Sequence, residues 1–80
     1  MHSERLKSLA ISDSGFIFDP ATGSSFNSNA IGLEIIDHLK SGKTREAIVE
    51  FLLETYAVSQ EELEADVADF IRTLKANHLL

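Results

Sequence analysis

Five residues in the first third of the chain, Asp19-Pro20-Ala21-Thr22-Gly23, constrain its fold more than any other feature. Phe16-Ile17-Phe18 precedes them and Ser24-Ser25-Phe26 follows. Asp then Pro suits the first two positions of a type I turn, and Gly23 can take the left-handed position that closes it. Strand, turn and strand at this spacing predict a β-hairpin. Two registers compete. A four-residue loop, Pro20–Gly23, pairs Ile17 with Phe26 and gives Pro20 its preferred turn position. A three-residue loop, Ala21–Gly23, pairs Phe18 with Phe26 and places Phe16, Phe18 and Phe26 on one face. The second gives the better buried stripe and is the expected register. A weak strand is expected before the hairpin, near residues 8–12, with Ser12-Asp13-Ser14-Gly15 as the intervening turn. Residues 1–7 read as a loose N-terminal arm and 8–80 as a single domain.

Small antiparallel sheets do not stand alone in water, so the remaining chain must cover one face. Its pattern is helical throughout. Asn27, Ser28 and Asn29 are N-cap types, and Ile31, Ile35, Ile36 and Leu39 follow at helical spacing. This predicts a first helix over about 29–40, stopped by Gly42 at C′. Thr44 caps a second helix whose expected buried stripe is Ala47, Ile48, Phe51, Leu52 and Tyr56. Ser59-Gln60-Glu61-Glu62 fits the capping box, with Val58 and Leu63 at hydrophobic-staple positions. The third helix runs to about 77 on a stripe of Leu63, Val67, Phe70, Ile71 and Leu74, extended by His78. Glu61, Glu64, Asp69, Arg72 and Lys75 lie on its outer face. The expected class is therefore α+β: three N-terminal antiparallel strands followed by three helices, resembling a winged helix-turn-helix with its wing placed first.

Several familiar chemistries are excluded. Ser41-Gly42-Lys43-Thr44 ends like a P-loop, but Asp37 stands where the motif needs glycine, and a helix precedes it instead of a strand. A helix stop followed by a helix cap accounts for it. Asp13-Ser14 resembles the carrier-protein serine motif, but Gly15 follows where a helix should begin. His2, His38 and His78 have no His at i+4 and no cysteine beside them, so no metal is expected. No set of residues supplies acid, base and nucleophile, so the chain is expected to be neither an enzyme nor the holder of a cofactor. With 13 acidic and 7 basic residues the formal charge is −6, which opposes binding to a phosphate backbone. The lack of cysteine, of a signal-like apolar stretch and of any run long enough to span a bilayer makes a cytoplasmic location the expectation.

What the pattern leaves open is an edge. The third strand, read as Thr22 to Asn27, carries no Lys and no Pro, the usual guards of an exposed edge. Beside the third helix it would form a cleft in which an extended peptide can add a strand. The same edge could instead pair with a second copy, so the oligomeric state is expected to be monomer or homodimer.

These elements in this order resemble the PqqD family, the precursor-peptide recognition elements. The resemblance rests on Phe26-Asn27 with Ala30, the Ile-rich helix, and Gly42. It continues through Thr44, Glu46, Ala47 and Ile48, then Tyr56, then Asp66, Val67, Phe70 and Leu74, and the final Leu79-Leu80. It spans about residues 9–80. The stretch from Leu9 to Gly23 is similar to PqqD-like proteins that accompany an HPr-kinase-related protein. The resemblance implies a non-catalytic peptide chaperone. Such a protein binds the leader of a ribosomally made precursor peptide as a strand added to strand three, against helix three. It implies a modifying enzyme as second partner, a radical SAM or HPr-kinase-related protein. Mapped onto this chain, the peptide-binding residues would be Thr22, Ser24, Ser25, Phe26 and Asn27 on the strand. Asp66, Phe70, Thr73 and Asn77 would supply the helix side. Phe26 departs from the leucine that many members carry before the asparagine, which alters the pocket. Two other readings stay open: an acidic adaptor that docks on an enzyme without a peptide of its own, and a winged-helix DNA binder.

Overall fold

The structure is a computed structural model that describes residues 4–80. Its elements in chain order are α1 (Glu4–Lys7), β1 (Ala10–Ile11), β2 (Phe16–Asp19), β3 (Ser24–Asn27), α2 (Ala30–Lys40), α3 (Arg45–Thr55) and α4 (Gln60–Ala76). The strands form one antiparallel sheet in the order β1-β2-β3. The expected class holds, with a one-turn helix added in front. That turn is the main change from the expected loose arm: Leu6 is fully buried, at 0% exposure. The first three residues of the arm, and His2 with them, lie outside the described residues.

The hairpin takes the other register. Ile17 pairs with Phe26 and Phe18 with Ser25, so the loop is the four-residue Pro20–Gly23. A one-residue slip reverses every side chain in a strand. Ile17 is consequently buried, whereas Phe16 and Phe18 are 45% and 37% exposed on the open face. Polar satisfaction of Asp19 outweighs the aromatic stripe. Its carbonyl accepts from the Gly23 N–H at 2.8 Å, and Gly23 takes φ +78. Its carboxylate accepts from the Ala21 N–H at 3.0 Å, the Thr22 hydroxyl at 3.0 Å and the Arg5 guanidinium at 2.7 and 3.3 Å. Asp19 is thereby satisfied at 1% exposure. The slipped register would turn this group outward and bury apolar bulk instead.

The helix boundaries follow their caps. The side chains of Asn29, Thr44 and Ser59 accept from the N–H groups of Gly32, Ala47 and Glu62. Each satisfies one of the donors a helix start leaves free. The stretch that resembles a P-loop is a Schellman stop: the Gly42 N–H reaches the Leu39 carbonyl, the Lys43 N–H reaches that of His38, and Gly42 has φ +78. The end of α4 repeats the device, with His78 N–H on the Lys75 carbonyl and Leu79 N–H on that of Leu74. Here His78, at φ 58, fills the left-handed position. It is exposed and lies beyond the helix, so it does not extend the α4 stripe as expected.

The core comes from all layers: Leu6 and Leu9, Ile17, then Ile35, Ile36 and Leu39 of α2, Ile48, Val49 and Leu52 of α3, Leu63, Val67, Ile71 and Leu74 of α4, and Leu79. On α3, Ile48 and Leu52 are buried as expected and Ala47 and Tyr56 half-buried, but one expected member of the stripe differs. Val49 is buried, while Phe51 is 41% exposed and packs its ring 4.4 Å from that of His38.

Candidate functional site

Because the strand order is β1-β2-β3, one side of β3 has no strand partner. Which of its groups are free follows from the ladder. The Ser28 N–H donates to the carbonyl of Gly15, directly opposite, at 2.8 Å. Antiparallel pairs alternate between hydrogen-bonded and non-bonded positions. Phe26, opposite Ile17, and Ser24, opposite Asp19, therefore turn their main-chain groups toward β2. Ser25 and Asn27 turn theirs outward. The open edge thus offers two N–H groups and two carbonyls at the spacing an added antiparallel strand requires.

Beside this edge lies a cleft of about 140 Å³, walled by β3 on one side and by the C-terminal half of α4 on the other. Phe26 and Phe70, both half-buried, are its aromatic walls. Leu9, Ile17, Ile36, Leu74 and Leu79 form a floor continuous with the core. Two close approaches shape it. A Cβ on Gly32 would meet the Phe70 ring at 3.3 Å, so this glycine lets the ring lie against α2. A Cβ on Gly15 would sit 2.1 Å from the Ser28 carbonyl oxygen, so only glycine lets the chain entering β2 meet the chain leaving β3.

The electrostatic anchor of the site stands behind it. Arg5 hydrogen-bonds Asp19 through two nitrogens and places Nε 3.4 Å from the His78 carbonyl. One side chain thus joins α1, the hairpin and the turn that carries Leu79. The Arg5 hydrogen bond holds the Asp19 carboxyl below its ordinary value of 3.8, against the opposing effect of burial.

The expected site residues divide by position. Phe26, Asn27, Phe70, Thr73 and Asn77 all line the cleft. Ser24 and Ser25 lie on β3 with exposed side chains. Thr22 is in the hairpin loop, where its hydroxyl donates to Asp19 and accepts from the Ser24 N–H. Asp66 is exposed one helical turn before Phe70, on the same flank of α4 but beyond the cleft. Thr73 and Asn77 spend donors on the helix backbone, Thr73 on the Asp69 carbonyl and Asn77 on that of Thr73. Sequence reasoning did not assign Leu9, Ser28 and Leu79 to the cleft, and read Ile17, Ile36 and Leu74 as strand or core positions only. Leu79 alone carried a signal, as the C″ residue of a Schellman motif, whose contact with C3 is apolar. Among the described residues no group of three or more His, Asp or Glu side chains is placed to hold a metal. No described helix is long and apolar enough to cross a membrane.

Solved structures with this fold include TbiB1 in complex with the TbiA(beta) leader peptide. Its TM-score is 0.79 at 33% identity, over 90% of this chain and 85% of that one. Another is lasso peptide synthetase B1 complexed with the leader peptide, with a TM-score of 0.77 at 28% identity, over 88% and 84% of the two chains. No curated protein matches the chain. The family model described as coenzyme PQQ synthesis protein D (PqqD) matches residues 15–80, which takes in the hairpin, the three long helices and both walls of the cleft, and the chain belongs to the PqqD family.

Proposed function

We propose that the chain is a non-catalytic peptide-binding domain. It takes the leader of a ribosomally made precursor peptide as a fourth strand on β3 and presents that precursor to a modifying enzyme. The observation that carries this reading is the juxtaposition of an open main-chain edge at Ser25 and Asn27 with the apolar cleft between Phe26 and Phe70. The edge supplies affinity that does not depend on peptide sequence, and the cleft selects an apolar side chain. The leader-peptide complexes of both structural relatives support the same reading. On the family resemblance, the modifying enzyme is a radical SAM or HPr-kinase-related protein. The surface of α4 disfavours DNA: Glu61, Glu62, Glu64, Asp66 and Asp69 are exposed beside only Arg72 and Lys75. A recognition helix needs the opposite balance.

The test is an amide-shift NMR titration with leader segments of precursor peptides encoded beside this chain. Shifts concentrated on residues 24–28 and 70–79 are expected. Saturating shifts confined to other surfaces would refute strand addition. A concentration-dependent change on 24–28 without peptide would identify a second copy as the occupant of the edge.

A further inference from the structure

The opposite flank of α4 forms a second and larger groove, of about 870 Å³, against α3. Its floor is apolar: Val49 and Leu53 from α3, Ala65 and Ala68 from α4. The two alanines open the space between the helices. Both rims are acidic, with Glu46 and Glu50 on one and Glu61 and Glu64 on the other, against the single cation Arg45. Glu46 and Glu61 stand in the first turns of their helices, where the helix dipole favours carboxylates. Glu50 and Glu64 lie further in, where the dipole no longer favours them; Glu64 accepts a hydrogen bond from the neutral Gln60 side chain at 3.0 Å and keeps its charge. The ion pairs among the described residues are Arg5–Asp19 and Arg72–Asp69, so no rim carboxylate is neutralised by a side chain.

An apolar floor between two rims of one sign specifies the chemistry of its occupant. The complement is an apolar stripe flanked on both sides by cations, which is the pattern of a basic amphipathic helix. The size agrees. The 11 residues of α3 make a wall of roughly 16 Å, about three helical turns. A third helix laid there would complete a small bundle. The peptide cleft uses Phe70, Thr73 and Asn77, on the other flank and in the other half of α4, so the two sites can be filled together.

We propose that this groove is the docking surface for the modifying enzyme, which engages it with a Lys- or Arg-bearing amphipathic helix while the leader occupies β3. The inference rests on the peptide-binding function proposed above and gives the second partner its place.

Two measurements test it. In the first, the labelled full chain is titrated with a synthetic 14-residue leucine–lysine amphipathic helix, then with its leucine–glutamate counterpart. Shifts at residues 45–53 and 60–68 are expected with the lysine peptide alone. Affinity should fall several-fold as salt rises from about 50 to 300 mM, and roughly tenfold or more in the Glu50→Lys/Glu64→Lys variant. Shifts spread over the other acidic surfaces, or an unchanged affinity in the variant, would overturn the proposal. In the second, the affinity of the purified modifying enzyme for the same variant should fall by a similar factor, with leader affinity unchanged. Undiminished enzyme affinity overturns the docking site. Leader shifts at 24–28 are read from the same samples, so a failure of peptide binding is seen separately.

Discussion

Replacing Ser25 with proline tests whether the main chain of β3 is the source of peptide affinity. By the alternation of the ladder, Ser25 directs its N–H to the open edge. The fold does not use that donor, and proline is tolerated on edge strands in this orientation. An added strand does use it. Removing it leaves a peptide carbonyl facing a proline ring, desolvated and without a partner. The cost of such an orphaned group is about 1–3 kcal/mol, or roughly five- to 150-fold in Kd. Pushing the peptide away from the ring also weakens the neighbouring bonds to Asn27, so the upper end of that range is expected. Ser25→Ala should bind as the parent does, because its side chain is exposed on the face that carries Phe16 and Phe18. Fluorescence anisotropy with a labelled leader segment reads the affinities, and circular dichroism melts confirm that each variant is folded. A folded Ser25→Pro protein with parental affinity would refute strand addition at this edge.

Other perturbations follow from single residues. His78→Gly relieves a side chain held at φ 58 and should stabilise the fold by about 1 kcal/mol, a rise of roughly 4–8 °C in Tm; an unchanged melt would contradict that. Gly32→Ala should leave stability almost unchanged, since the added Cβ meets the movable Ser28 hydroxyl at 2.0 Å and helix propensity improves. It should still lower leader affinity by displacing the Phe70 ring. Gly15→Ala, with its Cβ 2.1 Å from a backbone oxygen at φ +99, should unfold much of the protein, and paired melts separate the two cases. Asp19, whose carboxyl is held below 3.8 by Arg5, contributes stability that is present above that pH and is lost as pH falls through the lower, folded-state value. Asp19→Asn should therefore melt lower than the parent at pH 7, with the gap closing as the solution is acidified below 3.8. A constant gap down to pH 2 would show that the carboxylate charge is not what matters.

The helices were legible in the sequence because local chemistry marks their ends. Asn29, Thr44 and Ser59 cap where their side chains say they should, and Gly42 stops α2 in the geometry only a left-handed residue allows. The α4 wall of the cleft was legible for the same reason, since Phe70, Thr73 and Asn77 share a flank through helical spacing alone. The hairpin register was not. An apolar-stripe argument favoured three phenylalanines together, but the observed register buries Asp19 among the turn groups of Ala21, Thr22 and Gly23 and the guanidinium of Arg5, 14 residues away in sequence. The turn partners are local and the preferred place of Pro20 hinted at them, but the Arg5 pairing has no local signature. Leu6 and Leu9 were missed on similar grounds, because their spacing fits neither a helix nor a strand of useful length. They are buried by contacts with segments far along the chain.

The cleft floor is also the core. Ile17, Ile36, Leu74 and Leu79 each line the cleft and belong to the buried cluster. A domain of this size buries only about 60–65% of its unfolded surface and has little stability to spare. Truncating a floor residue therefore removes packing at roughly 2–5 kcal/mol along with any peptide contact, and loss of binding in such a variant says nothing about recognition. The residues that separate the two are those the fold does not need: the outward main chain of Ser25 and Asn27, and the exposed flank of α4. Selection faces the same division. The floor is free to vary only in ways that keep the core packed, so on the proposed function discrimination between leaders would fall to the rest of the cleft lining, Phe26, Thr73 and Asn77 among it.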